Sequence, residues 1–338
     1  MPGGKGPLPF VSSPTPQNLE SPEAIETRFS AATPEYPVPA VRPHPPLKSL
    51  LLACGLFVLT LFTCLAAGRQ FAVAYSHNEA VSMEEFVCSL VLIYKNPAAL
   101  LAGWPFAATL LTILLAHELG HYFACRHHHI RSSYPFFVPA PTLIGTLGAF
   151  ILIRSPIRSK RALFDVGASG PLVGFALAIP ALAYGVWHAR VVMGLATNAE
   201  VVFATPLLLK WLALILHPGV PPATLLLHPV GRAAWVGLFA TSLNLLPAGQ
   251  LDGGHILRAL SPRGHRCFSL LLPILLLVLG YLLWWVWYVW AALLFGIRFL
   301  RTAPLYDETP MDAGRQFTAL AALAVFLLCF MPAPVSAH

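Results

Sequence analysis

Residues 98–125 read AALLAGWPFAATLLTILLAHELGHYFAC, a run without lysine, arginine or aspartate in which the one glutamate, Glu118, stands between His117 and His121. A stretch of this length and apolarity is what a helix needs to cross about 30 Å of hydrocarbon at 1.5 Å per residue. Its ionisable residues lie on the order of 13 Å of helix inside the apolar boundary. There an ionised side chain costs about 2.5–3.5 kcal/mol, so groups retained at that depth point to function.

The rest of the chain agrees with a membrane setting. Of 338 residues 57% are hydrophobic and only 10% charged, and the mean hydropathy is +0.70. Soluble domains carry about 25% charged residues, so a cytosolic enzyme is excluded. The net charge of +7 sits in short loops between apolar runs, which reads as a topology signal and not as a nucleic-acid surface. Six cysteines show no CxxC spacing and read as reduced, buried thiols.

Four segments follow from the pattern. Residues 1–46 hold twelve prolines and no long apolar stretch, and read as a disordered cytoplasmic tail with neither a cleaved leader nor a packed domain. Residues 47–97 contain a first span, Leu47 to about Gly68, and an outside loop. Residues 98–260 carry the chemistry: the run above, a span from about Ala162 to Trp187, and a broken span from about Ala233 to Leu260. Residues 201–217, interrupted by Pro206 and Lys210, suit an interfacial or re-entrant helix better than a span. Residues 261–338 complete the bundle. Their block 268–300 is read as two short helices turning at an aromatic cluster, and a last span covers about Phe317 to Phe330. The expected fold is an all-α polytopic membrane protein of about six to seven transmembrane helices.

Residues 142–153, with Gly145 and Gly148 and a β-branched flank, are too short to span and too apolar for an ordinary loop. A short re-entrant β-hairpin is expected, its free edge able to take an unwound substrate strand; a surface-lying loop is the alternative. Basic residues after the His117 helix (Arg126, Arg131, Arg154, Arg158, Lys160, Arg161) and after Asp252 (Arg258, Arg263, Arg266) put both motif ends on the cytoplasmic side.

His117-Glu118-Leu119-Gly120-His121 fits H-E-x-x-H, in which two imidazoles four apart on a helix can share a zinc ion. With 13 His and 10 Glu in the chain, chance supplies about 0.015 such matches. A catalytic zinc takes a third protein ligand. Of the four aspartates, Asp307 and Asp312 lie in a polar loop and Asp165 opens a span beside Arg158, Lys160 and Arg161, which leaves Asp252 in the broken span. A loop-end ion pair with Arg258 is the alternative for Asp252. His127-His128-His129 reads as a basic cluster, because consecutive helical residues point about 100° apart. His255 is open between a partner of the metal ligands and a plain loop histidine.

Together, HELGH at 117–121 and Asn244-Leu-Leu-Pro247-Ala-Gly-Gln-Leu-Asp252-Gly253, fitting N-x-x-P-x-x-x-x-D-G, resemble the site-2 protease family of intramembrane zinc metalloproteases, peptidase family M50. Gly145-Thr-Leu-Gly148 and Ala168-Ser-Gly-Pro171 are similar to its chloroplast-type and bacterial branch. The resemblance implies one Zn2+ per chain on His117, His121 and Asp252, Glu118 as catalytic base, and Asn244 and Pro247, with Gly145 and Gly148, on the substrate side; for Asn244 a hydrogen bond to backbone freed by Pro247 is the alternative. It further implies single-span membrane protein substrates, a lipid bilayer and no nucleic acid as partners, and a bacterial plasma membrane location. The loop at about 189–232 is too short for a PDZ domain, and no CBS pair is expected. A membrane-helix chaperone, in which Glu118 would be superfluous, and a metal-dependent transporter, which would call for inverted repeats, are the rivals.

Overall fold

Helix α1 (Leu47–His77) outruns the first apolar stretch because the polar residues that seemed to end it find partners on neighbouring segments. Arg69 pairs with Glu85 and donates to Ser89 Oγ at 3.0 Å, and Gln70 donates to the Leu143 carbonyl at 3.0 Å. Glu85 and Ser89 lie on α2 (Met83–Lys95), whose N-terminus is capped by Ser82. The computed structural model describes residues 47–297 apart from 196 and 198, with 305 and 310–337. The tail at 1–46 and Asp307 lie outside the described residues.

A 3-10 segment, Pro97–Gly103, leads into α3 (Trp104–His127), which carries the HELGH motif. A hairpin follows as β1 (Phe136–Pro139), upstream of the 142–153 segment in which it was expected, and β2 (Thr146–Phe150), antiparallel, with a register shift at Val138/Pro139. It lies along α1: Thr63 Oγ1 donates to the Gly145 carbonyl at 2.6 Å, and the Phe57 and Phe137 rings meet edge to face. Gly145 has φ +80°, and a Cβ there would fall 2.6 Å from Cys64 Cα. Only glycine fits that turn against that helix.

Helix α4 (Lys160–Trp187) is the centre of the bundle. It packs on α3, on α6 (Pro229–Asn244) and on α7 (Asp252–Leu260), the two halves of the expected broken span. Asp165 faces neither Lys160 nor Arg161. It accepts from Arg315 at 2.8 and 2.6 Å and bonds His128 at 2.8 Å, tying α10 (Ala313–Cys329) to α3 and α4. The 201–217 segment resolves into β4 (Val201–Phe203) and α5 (Leu207–Leu216). Two ribbons absent from the sequence reading cap this end: β3 (Arg190–Val191) with β5 (Leu225–Leu226), and β4 with β6 (Val335–Ala337).

Block 268–300 does split, into α8 (Pro262–Leu282) and α9 (Val286–Ile297). Its aromatic cluster divides as well. Trp285 is exposed, whereas Trp287 is buried and donates to the Pro332 carbonyl at 2.6 Å. Among the described residues four helical segments are long and apolar enough to cross a membrane: Leu47–His77, Pro97–His127, Lys160–Trp187 and Pro262–Leu282. Shorter apolar helices, α5, α9 and α10, complete the helical set. Fewer full-length spans than expected result because α6, with 16 residues, covers about 24 Å at 1.5 Å per residue before the chain breaks. The cysteines are unpaired; Cys64, Cys125 and Cys329 are buried, but Cys54, Cys88 and Cys267 are exposed.

Candidate metal centre

His117 and His121 stand one turn apart on α3, so their rings share a face. That face meets α4 at a ladder of glycines. A Cβ at Gly170 would occupy the place of the His121 ring, and one at Gly174 would sit 3.2 Å from His117 Cβ. At Gly167 it would lie 2.8 Å from His255 Cβ and 3.0 Å from the Asp252 carbonyl. The small residues of α4 are thus the wall against which the histidines and α7 are seated. The Val166 carbonyl of the same helix accepts from His121 Nδ1 at 2.7 Å. That bond assigns the proton to Nδ1 and leaves the Nε2 lone pair facing inward.

Asp252 is the first residue of α7 and arrives from the far side. The loop before it is pinned at Gly249, whose N–H donates to Ser269 Oγ at 3.1 Å and whose carbonyl lies 2.9 Å from His265 Nε2. Gly253 and Gly254 stay in helical geometry although Asp252 was read as lying in a broken span. Their bareness lets α7 touch the preceding loop, where a Cβ on Gly254 would fall 2.6 Å from the Ala248 carbonyl.

The three ligand atoms converge. His117 Nε2 and His121 Nε2 are 3.0 Å apart, and Asp252 Oδ2 lies 3.2 and 3.3 Å from them. A tetrahedron with arms of about 2.0–2.1 Å has edges of about 3.3 Å, so these atoms are spaced as three corners of a zinc site, and two imidazoles with one carboxylate suit that metal. The proposed Asp252–Arg258 pairing gives way to this arrangement. Among the described residues no second trio of such donors converges, and His128 of the triple-histidine cluster is engaged with Asp165.

Glu118, only 4% exposed, lines a cavity of about 180 Å³ together with all three donors. Ile151 belongs to the same wall. Asn244, at the last turn of α6, places its side-chain amide 3.3 Å from His117 Nε2. Ala149, Phe150, Gln250 and His255 complete much of the wall.

Leu152 O accepts from the Ser133 amide and the Arg154 amide donates to Arg131 O. Even-numbered residues therefore face β1, and the backbone groups of Ala149 and Ile151 turn outward. Gly145, Gly148 and Pro247 do not line the cavity: Gly145 forms the hairpin turn, Gly148 sits in β2 with open space at its Cα, and Pro247 belongs to the loop before Asp252. Gln250 was missed in the sequence, whereas Ala149–Ile151 fall within the 142–153 segment whose free edge was expected to face a substrate. Gln250 had a signal in its place two residues before Asp252.

Comparison with known proteins leads to the same helices. The chain is 32% identical over 225 residues to "Probable zinc metalloprotease EGY1, chloroplastic" of Oryza sativa subsp. japonica, covering 63% of this chain and 38% of that protein. It is 32% identical over 251 residues to "Probable zinc metalloprotease EGY2, chloroplastic" of Arabidopsis thaliana, covering 72% of this chain and 44% of that protein. The chain thus spans less than half the length of these curated relatives. No solved structure matches it. The model of peptidase family M50 matches residues 105–286, from the start of α3 through the loop that delivers Asp252 and on to α9. A match over more than half of the chain, holding both sources of the donor trio, makes this protein a member of peptidase family M50.

Proposed function

We propose that the chain is a zinc-dependent endopeptidase that hydrolyses peptide bonds within or near the transmembrane segments of single-span membrane proteins. The observation that carries this reading is the convergence of His117, His121 and Asp252 beside a buried Glu118, in a cavity with an outward strand edge as one wall. Zinc on such donors polarises a carbonyl and brings the pKa of water toward about 7. Glu118 accepts the proton of the attacking water and passes it to the leaving amine nitrogen. In this reading the Asn244 amide, 3.3 Å from His117 Nε2, holds a substrate carbonyl there.

A helical substrate hides its backbone in its own hydrogen bonds and must unwind before attack. The outward groups of Ala149 and Ile151 supply replacement bonds to an extended segment, a re-entrant role for the hairpin that tolerates varied side chains. Substrates with Gly, Pro or Asn in the span are favoured. The basic residues after α3 and α7 set the metal end toward the cytoplasm, with a bacterial plasma membrane as the proposed site of action. Glu118→Gln should lower cleavage of a single-span reporter by several orders of magnitude while the purified protein keeps its zinc. Retained cleavage would refute the base, and joint loss of zinc and cleavage would move Glu118 into the ligand set.

A further inference from the structure

Arg232 lies in the first turns of α6, twelve residues before Asn244 and so about 18 Å from it along the helix. Its guanidinium stands 4.2 Å from the Phe203 ring centre, with the Phe71 ring at 6.0 Å. The side chain borders a cavity of about 250 Å³ whose other walls are Ala, Val, Leu, Phe, Thr and Pro residues. Among the described residues no carboxylate pairs with it, and Glu79 and Glu200 line a neighbouring cavity instead. A half-buried cation facing apolar walls without a counter-charge is unfavourable, more so at the positive end of a helix, and becomes favourable when an anion arrives.

The walls narrow the choice of anion. Consecutive residues, Val201 to Ala204 and Leu225 to Leu227, border the cavity. Side chains of a strand alternate, so where neighbours of both parities line one space the main chain lines it too. Strands β4 and β5 are each paired on one side only. An extended peptide satisfies such edges and an acyl chain does not. Arginine's planar fork matches a carboxylate in two parallel bonds. We propose that this cavity binds the free C-terminal carboxylate of an apolar peptide segment, the carboxylate on Arg232 and the last residues against β4 and β5. The proposal is independent of the proteolytic chemistry.

The test is fluorescence polarisation with the full chain in detergent, using a dye-labelled Leu-Ala-Val peptide with a free carboxylate and its carboxamide. The acid should bind saturably and the amide at least tenfold more weakly. Arg232→Met should weaken the acid at least tenfold and Arg232→Lys less. Ala223→Trp, at an exposed wall position, should block both ligands, and its unchanged zinc content and melting temperature keep the test valid if Arg232→Met misfolds. Equal affinities for acid and amide, or no effect of Ala223→Trp, would overturn the proposal. So would displacement of the peptide by nanodiscs containing phosphatidylglycerol but not by phosphatidylcholine nanodiscs, which would assign the cavity to a lipid anion.

Discussion

The two ends of α6 handle buried polarity in opposite ways. At its C-terminal end, Asn244 joins two imidazoles and two carboxylates drawn from two other helices, and donor atoms approach to 3.0–3.3 Å. At its N-terminal end Arg232 has aromatic rings around it and no acid among the described residues. Both are costly in a low-dielectric surrounding. The lesson is that burial alone does not mark a metal site; the mark is like-directed lone pairs gathered from different elements, spaced for a common ion. A lone cation facing a cavity marks a place for something that comes from outside.

The contrast can be broken most directly at Asp252. Asp252→Ala should reduce bound zinc from about one per chain to near zero and abolish cleavage, since two histidines do not complete a catalytic site. Zinc at the wild-type level in that variant would remove Asp252 from the donor set. Gly170→Ala tests the wall. An added methyl has no room beside the His121 ring, so zinc affinity should fall roughly 10–100-fold, the range seen when the groups supporting a ligand are altered. Unaltered affinity, measured by competition with a chelator, would show that α4 does not seat the ligands.

A smaller effect is expected at the hairpin. Ala149→Pro removes an outward backbone donor and should lower kcat/KM about tenfold with zinc content unchanged. Leu147, 72% exposed at the bulge, makes a control in which proline should matter less. Full activity of Ala149→Pro would refute strand addition at this edge. The last test changes accessibility alone. With Cys54, Cys88 and Cys267 replaced, single cysteines at His129 and Arg263 should be labelled by an impermeant reagent from one face of the membrane, and a cysteine at Ala223 from the other. Labelling of all three from one side would collapse the distinction between the two ends of α6.

Much of this centre was legible before folding because its signals are local. The spacing of His117 and His121 follows from helical geometry, and an apolar run around charged residues carries its own energetic argument. Asp252 was reachable by elimination, since an aspartate in an apolar segment has few other roles. A hairpin was legible in 142–153 as a mismatch between apolarity and length, but its first strand, Phe136–Pro139, lies upstream of that range and was not. The role of Gly167, Gly170 and Gly174 was not, because a small side chain announces close approach without naming the partner.

The sequence by itself determined that the chain is a membrane-spanning helical protein with an H-E-x-x-H helix, since both rest on periodicity and on the cost of placing charge in hydrocarbon. Tertiary structure alone decided three matters: that Asp252 closes on the two histidines and not on Arg258, that Asp165 serves α10 through Arg315, and that Arg232 faces an apolar cavity. Each joins residues on separate elements. Such pairings are set by which helices pack together and at what depth, and no spacing along the chain encodes that.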